Sequence, residues 1–124
     1  MAHYSLLNEN NVVVDVITGL DEDVLIEGLD PETWYGQFHN LKCKRTSYNT
    51  AANIHRLGGI PFRKNYGYIG MIYDEDLDAF IHPKIHETWI LDEETGVWNP
   101  PIPRPTEGWW IWDEDTLSWI EQTI

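Results

Sequence analysis

The chain has 124 residues, enough for one domain with a modest core, and its seven Trp and six Tyr take the place of long aliphatic runs. A net charge of −13 argues against nucleic acid as the main partner, and no stretch approaches the roughly 20 apolar residues of a membrane span. A single cysteine, Cys43, excludes an internal disulfide framework and a cysteine-rich zinc site, and its expected role is a small buried apolar residue.

The N-terminus carries no charged-then-apolar signal pattern, so the expectation is a chain made in a cytoplasm. His3 to Leu7 and Val12 to Thr18 are β-prone runs joined by Asn8-Glu9-Asn10-Asn11, which predicts an N-terminal hairpin within residues 1–19. Val12-Val13-Val14 and Val16-Ile17 flank the lone polar Asp15, so the second strand is expected to be covered on both faces. Leu20 to Asp30 is acidic and apolar by turns, open to a loop or an additional short strand. Asp30, Pro31 and Glu32 stand in the order of N-cap, first helical residue and acidic first turn. Trp34, Phe38 and Leu41 recur at helical spacing, which predicts a short amphipathic helix over about residues 31–41, weakened by Gly36.

Lys42 to Tyr48 suits a strand, whereas Asn49 to Gly59 lacks both period and bulk and reads as a long exposed loop. Residues 42–64 form a basic, loop-rich segment with Lys42, Lys44, Arg45, Arg56, Arg63 and Lys64 and no acidic residue, although the first 41 residues contain no Lys or Arg. Two readings stay open. The segment folds against acidic turns of its own chain, or Lys44, Arg45, Arg56, Arg63 and Lys64 meet the acidic loops of a neighbour and set register and specificity. Gly67 and Gly70, within an aromatic run, predict a bend or a close approach of another backbone.

Residues 66–121 repeat one pattern. Tyr73-Asp74-Glu75-Asp76 leads to Phe80, Leu91-Asp92-Glu93-Glu94 to Trp98, and Trp112-Asp113-Glu114-Asp115 to Trp119. If 73 faces 80 across two antiparallel strands, 74 pairs with 79 and residues 75 to 78 form the loop, a length usually built around a type I turn. The Asp before the loop accepts hydrogen bonds from backbone N–H groups two residues on. Leu7-Asn8-Glu9-Asn10, followed by Val14, reads as a degenerate fourth copy. Pro83 and the stiff run Asn99 to Pro105 separate the later hairpins.

Sites for chemistry are sparse. Asp74, Asp76 and Asp78 alternate as at the start of a calcium loop, but Ala79 stands where Gly is needed and Ile85 where a bidentate Glu closes the site. His82 and His86 are four apart with Pro83 between them and no H-E-x-x-H frame. No nucleophile elbow, phosphate-cradling loop or Cys–His arrangement appears, and the carboxylates sit in turns expected to be open to water. The expectation is a protein that is not an enzyme and takes no metal or cofactor. In the final hairpin strand alternation puts Trp110, Trp112 and Trp119 on one face and Trp109, Ile111 and Ile120 on the other. Both faces are apolar, so one is expected to face the core and the other a further layer or chain. Trp109, Trp110, Trp112 and Trp119 are therefore candidate partner-binding residues beside the basic set.

Arg45-Thr46-Ser47-Tyr48-Asn49-Thr50, Arg63-Lys64-Asn65-Tyr66, Tyr73-Asp74-Glu75-Asp76 with Asp78-Ala79-Phe80-Ile81, Pro83-Lys84, Trp89, Asp92-Glu93-Glu94-Thr95 and Trp112-Asp113-Glu114-Asp115-Thr116 resemble a family of small proteins encoded by marine tailed bacteriophages, cyanophages especially. The resemblance covers the N-terminal hairpin and nearly all of residues 45–121, and departs at 20–44, Ala51-Ala52 and Ile85-His86-Glu87. It implies an accessory virion component and carries no catalytic residues.

The expected fold is a single domain over residues 1–124, mainly β with a minor α component: successive antiparallel hairpins in a small sandwich or partly open barrel, with one short helix near residues 31–41. The expected function is a virion structural protein, either a capsid decoration or cement protein or a tail or neck accessory. Its partners would be major capsid or tail and neck proteins, or further copies of itself, with neither nucleic acid nor membrane involved. A carbohydrate-binding module of a tail fibre, stacking host-surface glycans on its Trp residues, is the alternative; an acidic mimic of nucleic acid that inhibits a host protein is a third.

Overall fold

The computed structural model describes residues 2–123. The chain is mainly β, built from antiparallel hairpins with one short helix, and none of its sheets closes into a barrel. A three-stranded sheet in the order β2-β1-β3 forms the base, with β1 at Ala2–Leu7, β2 at Val13–Gly19 and β3 at Lys42–Thr46. The central strand, β1, is the one covered on both faces. Its Tyr4 and Leu6 pack with Cys43, Ile17, Tyr35 and Leu41, while Leu7 joins Val13, Met71, Tyr73 and Phe80 in a second cluster. Burial pushes the Cys43 thiol up to about 12, which keeps it protonated and unreactive.

The expectation of a doubly covered second strand is corrected. β1 is its one strand partner in the sheet; on the other side Val13 N donates to Met71 O and Val13 O accepts from Gly70 N, while Val14 and Asp15 beyond it face water. The first hairpin also departs from the fourth-copy register, because Leu7 pairs with Val13 rather than Val14 after a bulge at Leu6/Leu7. The cause is local. Asn8 Oδ1 accepts from both Asn10 N (2.9 Å) and Val12 N (3.1 Å), and Asn11 takes a left-handed φ of 62°.

Leu20 to Asp30 contains no strand, only an isolated bridge between Ile26 and Leu29. Helix α1, Pro31–His39, starts as its sequence dictates: Asp30 accepts from Thr33 N, and Pro31 occupies the first turn. Asn40, in the left-handed conformation, ends it two residues before the expected boundary. The buried face is not the expected one. Trp34 and Phe38 stack on each other at 5.2 Å and Phe38 is exposed, while Tyr35 turns inward against Tyr4 at 5.1 Å. Gly36 is where the helix approaches the sheet; a Cβ there would lie 3.0 Å from Leu41 O and 3.4 Å from Cys43 Cβ.

Residues 49–59 are not a structureless loop. Strands β4 (Thr50–Ala51) and β5 (Ile54–His55) form a small hairpin whose turn residues, Ala52 (φ 49°) and Asn53 (φ 61°), have the two positive φ values of a type I′ turn. Asn65 ties this hairpin to the later ones. Its Oδ1 accepts from Ala52 N (2.9 Å), and its Nδ2 donates to Phe80 O (2.8 Å) and Gly96 O (3.0 Å). The close approach at Gly67 is of side chains and not of another backbone: a Cβ there would press on the Phe80 ring and lie 2.7 Å from Ser5 Oγ, whereas Gly70 has open space around it.

The three acidic-turn hairpins adopt the expected register. β6 (Ile72–Asp74) and β7 (Ala79–Ile81) pair Tyr73 with Phe80; β8 (Ile90–Asp92) and β9 (Val97–Asn99) pair Leu91 with Trp98; β10 (Trp110–Asp113) and β11 (Ser118–Glu121) pair Trp112 with Trp119. Asp74, Asp92 and Asp113 each accept from the backbone N–H two residues on, at 3.0, 2.9 and 3.2 Å. One feature was not expected: the fourth loop residue is left-handed in every copy, at Asp78 (φ 50°), Gly96 (φ 70°) and Leu117 (φ 51°). No helix among the described residues is long and apolar enough to cross a membrane.

Candidate docking surfaces

Most of the basic segment folds against its own chain. Arg63 Nη1 donates to Glu32 Oε2 (2.7 Å) and Arg45 O (2.8 Å), and Nε donates to Asp78 Oδ1 (2.9 Å). Burial would lower the Arg63 pKa, but Glu32 and Asp78 outweigh it and hold the guanidinium above its ordinary value. Arg63 is therefore corrected from a partner-facing cation to a structural one. Arg45 lies 3.9 Å from Glu22 and over the Phe62 ring, Lys44 lies over the Tyr73 ring, and Lys64 Nζ donates to Glu94 O (2.9 Å). Arg56 differs: it is exposed, donates to the neutral Asn49 Oδ1 and sits over Tyr48.

The same interlocking defines the turns. Asp78 accepts from the Tyr73 hydroxyl as well as from Arg63. Burial opposes its ionised form, yet those two donors leave the carboxyl below the ordinary carboxylate range. Asp74 and Asp78 thus act as acceptors inside a turn, and among the described residues no group of three or more His, Cys, Asp or Glu is placed to hold a metal ion.

The C-terminal hairpin separates its two faces. On the inner face Trp112 is 8% exposed, meets Trp119 edge-on at 5.3 Å, and packs against Trp89 at 6.1 Å. Its indole N–H donates to Glu114 Oε2 (2.7 Å), and Glu114 also accepts from Thr88 N and Oγ1, both at 3.0 Å. These donors, the Trp112 indole foremost, hold the Glu114 carboxyl below its usual range. Trp119 Nε1 donates to Ile102 O (2.8 Å), which anchors the proline-rich run, and Trp110 Nε1 donates to Glu107 O (2.7 Å). Trp112 and Trp119 are corrected accordingly: they hold the hairpin to its own chain, so the four Trp do not form one stacking platform. Trp89, which the motif spacing did not single out, completes that inner cluster.

The outer face is open. Trp109, Ile111 and Ile120 are 62%, 55% and 43% exposed. Ile111 and Ile120 are direct cross-strand partners, and the bond from Gln122 N to Trp109 O (2.6 Å) extends the ladder so that Trp109 shares their side. A second exposed apolar group lies far off in sequence, at Ile54, Leu57 and Ile60 around Arg56. Comparison of the chain with protein-family models, with curated proteins and with solved structures gives no match to any of them.

Proposed function

We propose that this chain is a bacteriophage virion structural protein, a capsid decoration or cement protein or a small tail or neck accessory, that binds other virion proteins. The class comes from the resemblance carried by the Arg45–Thr50, Arg63–Tyr66 and Asp-Glu turn motifs. The observation that carries the binding reading is the outer face of the last hairpin, where Trp109, Ile111 and Ile120 stand in water while the opposite face is packed against Trp89. Exposed large apolar side chains grouped on one rigid face are a docking surface by physical type, because burying them removes their exposed apolar area from water.

The acidic turns support the same reading from the other side. A net charge of −13 keeps a chain with such a face soluble before assembly and disfavours wrong contacts. Mass spectrometry of purified particles tests the class: the protein is expected in virions at fixed stoichiometry to a major structural protein. Its absence from particles, with abundance in infected-cell lysate, would overturn the proposal.

A further inference from the structure

We propose that the outer face of the C-terminal hairpin is covered by residues 54–60 of a neighbouring copy of this chain, in a tip-to-face contact. The inference rests on reading that face as a docking surface and names what occupies it.

The 54–60 loop is built rather than slack. His55 Nδ1 accepts from Leu57 N (3.2 Å) and Gly59 N (3.0 Å), Gly58 N donates to His55 O (3.0 Å), and Arg56 N donates to Asn49 O (2.8 Å). Gly58 sits at φ 82°, and a Cβ on Gly59 would lie 3.1 Å from the His55 ring, so both glycines belong to this geometry. The result is a fixed tip that carries Ile54, Leu57 and Ile60 at 67%, 74% and 89% exposure. A loop already ordered in the free protein loses little conformational freedom on docking.

Local charge complementarity points to a second copy as the occupant. At −13 the chains repel one another at long range, so a contact between copies has to align opposite local charges. The tip supplies Arg56, whose partners among the described residues are the neutral Asn49 side chain and the Tyr48 ring. The hairpin face supplies Trp109, Ile111 and Ile120 for the aliphatic side chains, and its turn carries the Asp113 and exposed Asp115 carboxylates for the guanidinium. Apolar meets apolar and cation meets anion. Made once per pair of copies, the contact is heterologous and repeats into a ring or a filament; made twice, reciprocally, it closes a two-fold dimer.

Sedimentation of the full-length chain across a concentration series tests this, with Leu57→Ser/Ile60→Ser, Ile111→Ser/Ile120→Ser, Arg56→Asp, Asp115→Arg and the combined Arg56→Asp/Asp115→Arg. Circular dichroism verifies that each is folded, as expected for exposed positions. Wild type is expected to self-associate; each serine pair and each single charge reversal should need at least about tenfold more protein, and the charge swap should recover assembly. A wild-type monomer at all concentrations, or a loop pair that assembles like wild type, would overturn it. Particle incorporation separates the two readings. A monomeric loop variant that enters virions normally sinks this contact alone, whereas wild type that assembles but is missing from virions sinks the virion assignment alone.

Discussion

Leu117 is the residue at which the repeated turn conflicts with its own side chain. The loop geometry requires a left-handed fourth residue, a role suited to Gly96 and tolerated by Asp78, whereas Leu117 takes it at φ 51° with a Cβ in the way. Left-handed backbone costs a branched side chain about 1–2 kcal/mol, and glycine brings back about 0.5–1 kcal/mol through unfolded-chain entropy. Leu117→Gly is therefore expected to stabilise the protein by up to about 1 kcal/mol, read from urea denaturation midpoints. A midpoint below wild type would mean that the Leu117 side chain packs more than its exposure shows. Asp78 carries a second prediction. Its folded pKa is depressed, so its contribution is full above the ordinary carboxylate pKa of about 3.9 and disappears as pH falls through the lower folded value. Asp78→Asn should flatten that acid limb of stability against pH, measured by thermal melts between about pH 2 and 6. An unchanged acid limb would assign the loss to other carboxylates. The acceptor role of each turn Asp was legible because it depends on residues two apart; the Arg63–Glu32–Asp78 arrangement was not, since 31 and 15 residues separate its partners.

The hairpins were readable for the same local reason. An apolar residue, Asp, four loop residues and a matching apolar residue fix register without reference to the rest of the chain, and all three registers agree with that spacing. The β4–β5 hairpin escaped because Ala52 is an uncommon occupant of positive φ, and its placement comes from Asn65, 13 residues away. Helix α1 was found by its cap and misread in its face. Trp34 and Phe38 satisfy helical periodicity, yet the sheet beneath accepts Tyr35, whose hydroxyl also receives Leu20 N at 3.0 Å. Gly36 illustrates how packing overrules propensity. Alanine would favour the helix by about 1 kcal/mol, but its methyl group would press on Leu41 O and Cys43. Gly36→Ala is expected to lower stability by about 1 kcal/mol net, measured by chemical denaturation; a gain equal to the propensity difference would show that the helix can move off the sheet.

Folded together, these elements turn much of the basic segment and several of the aromatic rings onto the chain itself, while most carboxylates stay exposed. The basic segment pairs with acidic residues of α1 and the hairpin turns, and the Trp89, Trp112 and Trp119 cluster holds the last hairpin. The apolar side chains left in water include two groups, the outer face at Trp109, Ile111 and Ile120 and the tip at Ile54, Leu57 and Ile60. The sequence indicated the first, through alternation along β10 and β11; the second was hidden by the absence of any period between Asn49 and Gly59. The outer face is expected to be buried in an assembled particle. A particle map at a resolution that places this domain, from wild type and from an Ile111→Ser/Ile120→Ser phage, tests it most directly. Wild-type density is expected with the C-terminal hairpin face inside a protein contact, and that density is expected to be lost in the variant. Density with Trp109 and Ile120 facing solvent, or undiminished occupancy in the variant, would contradict it.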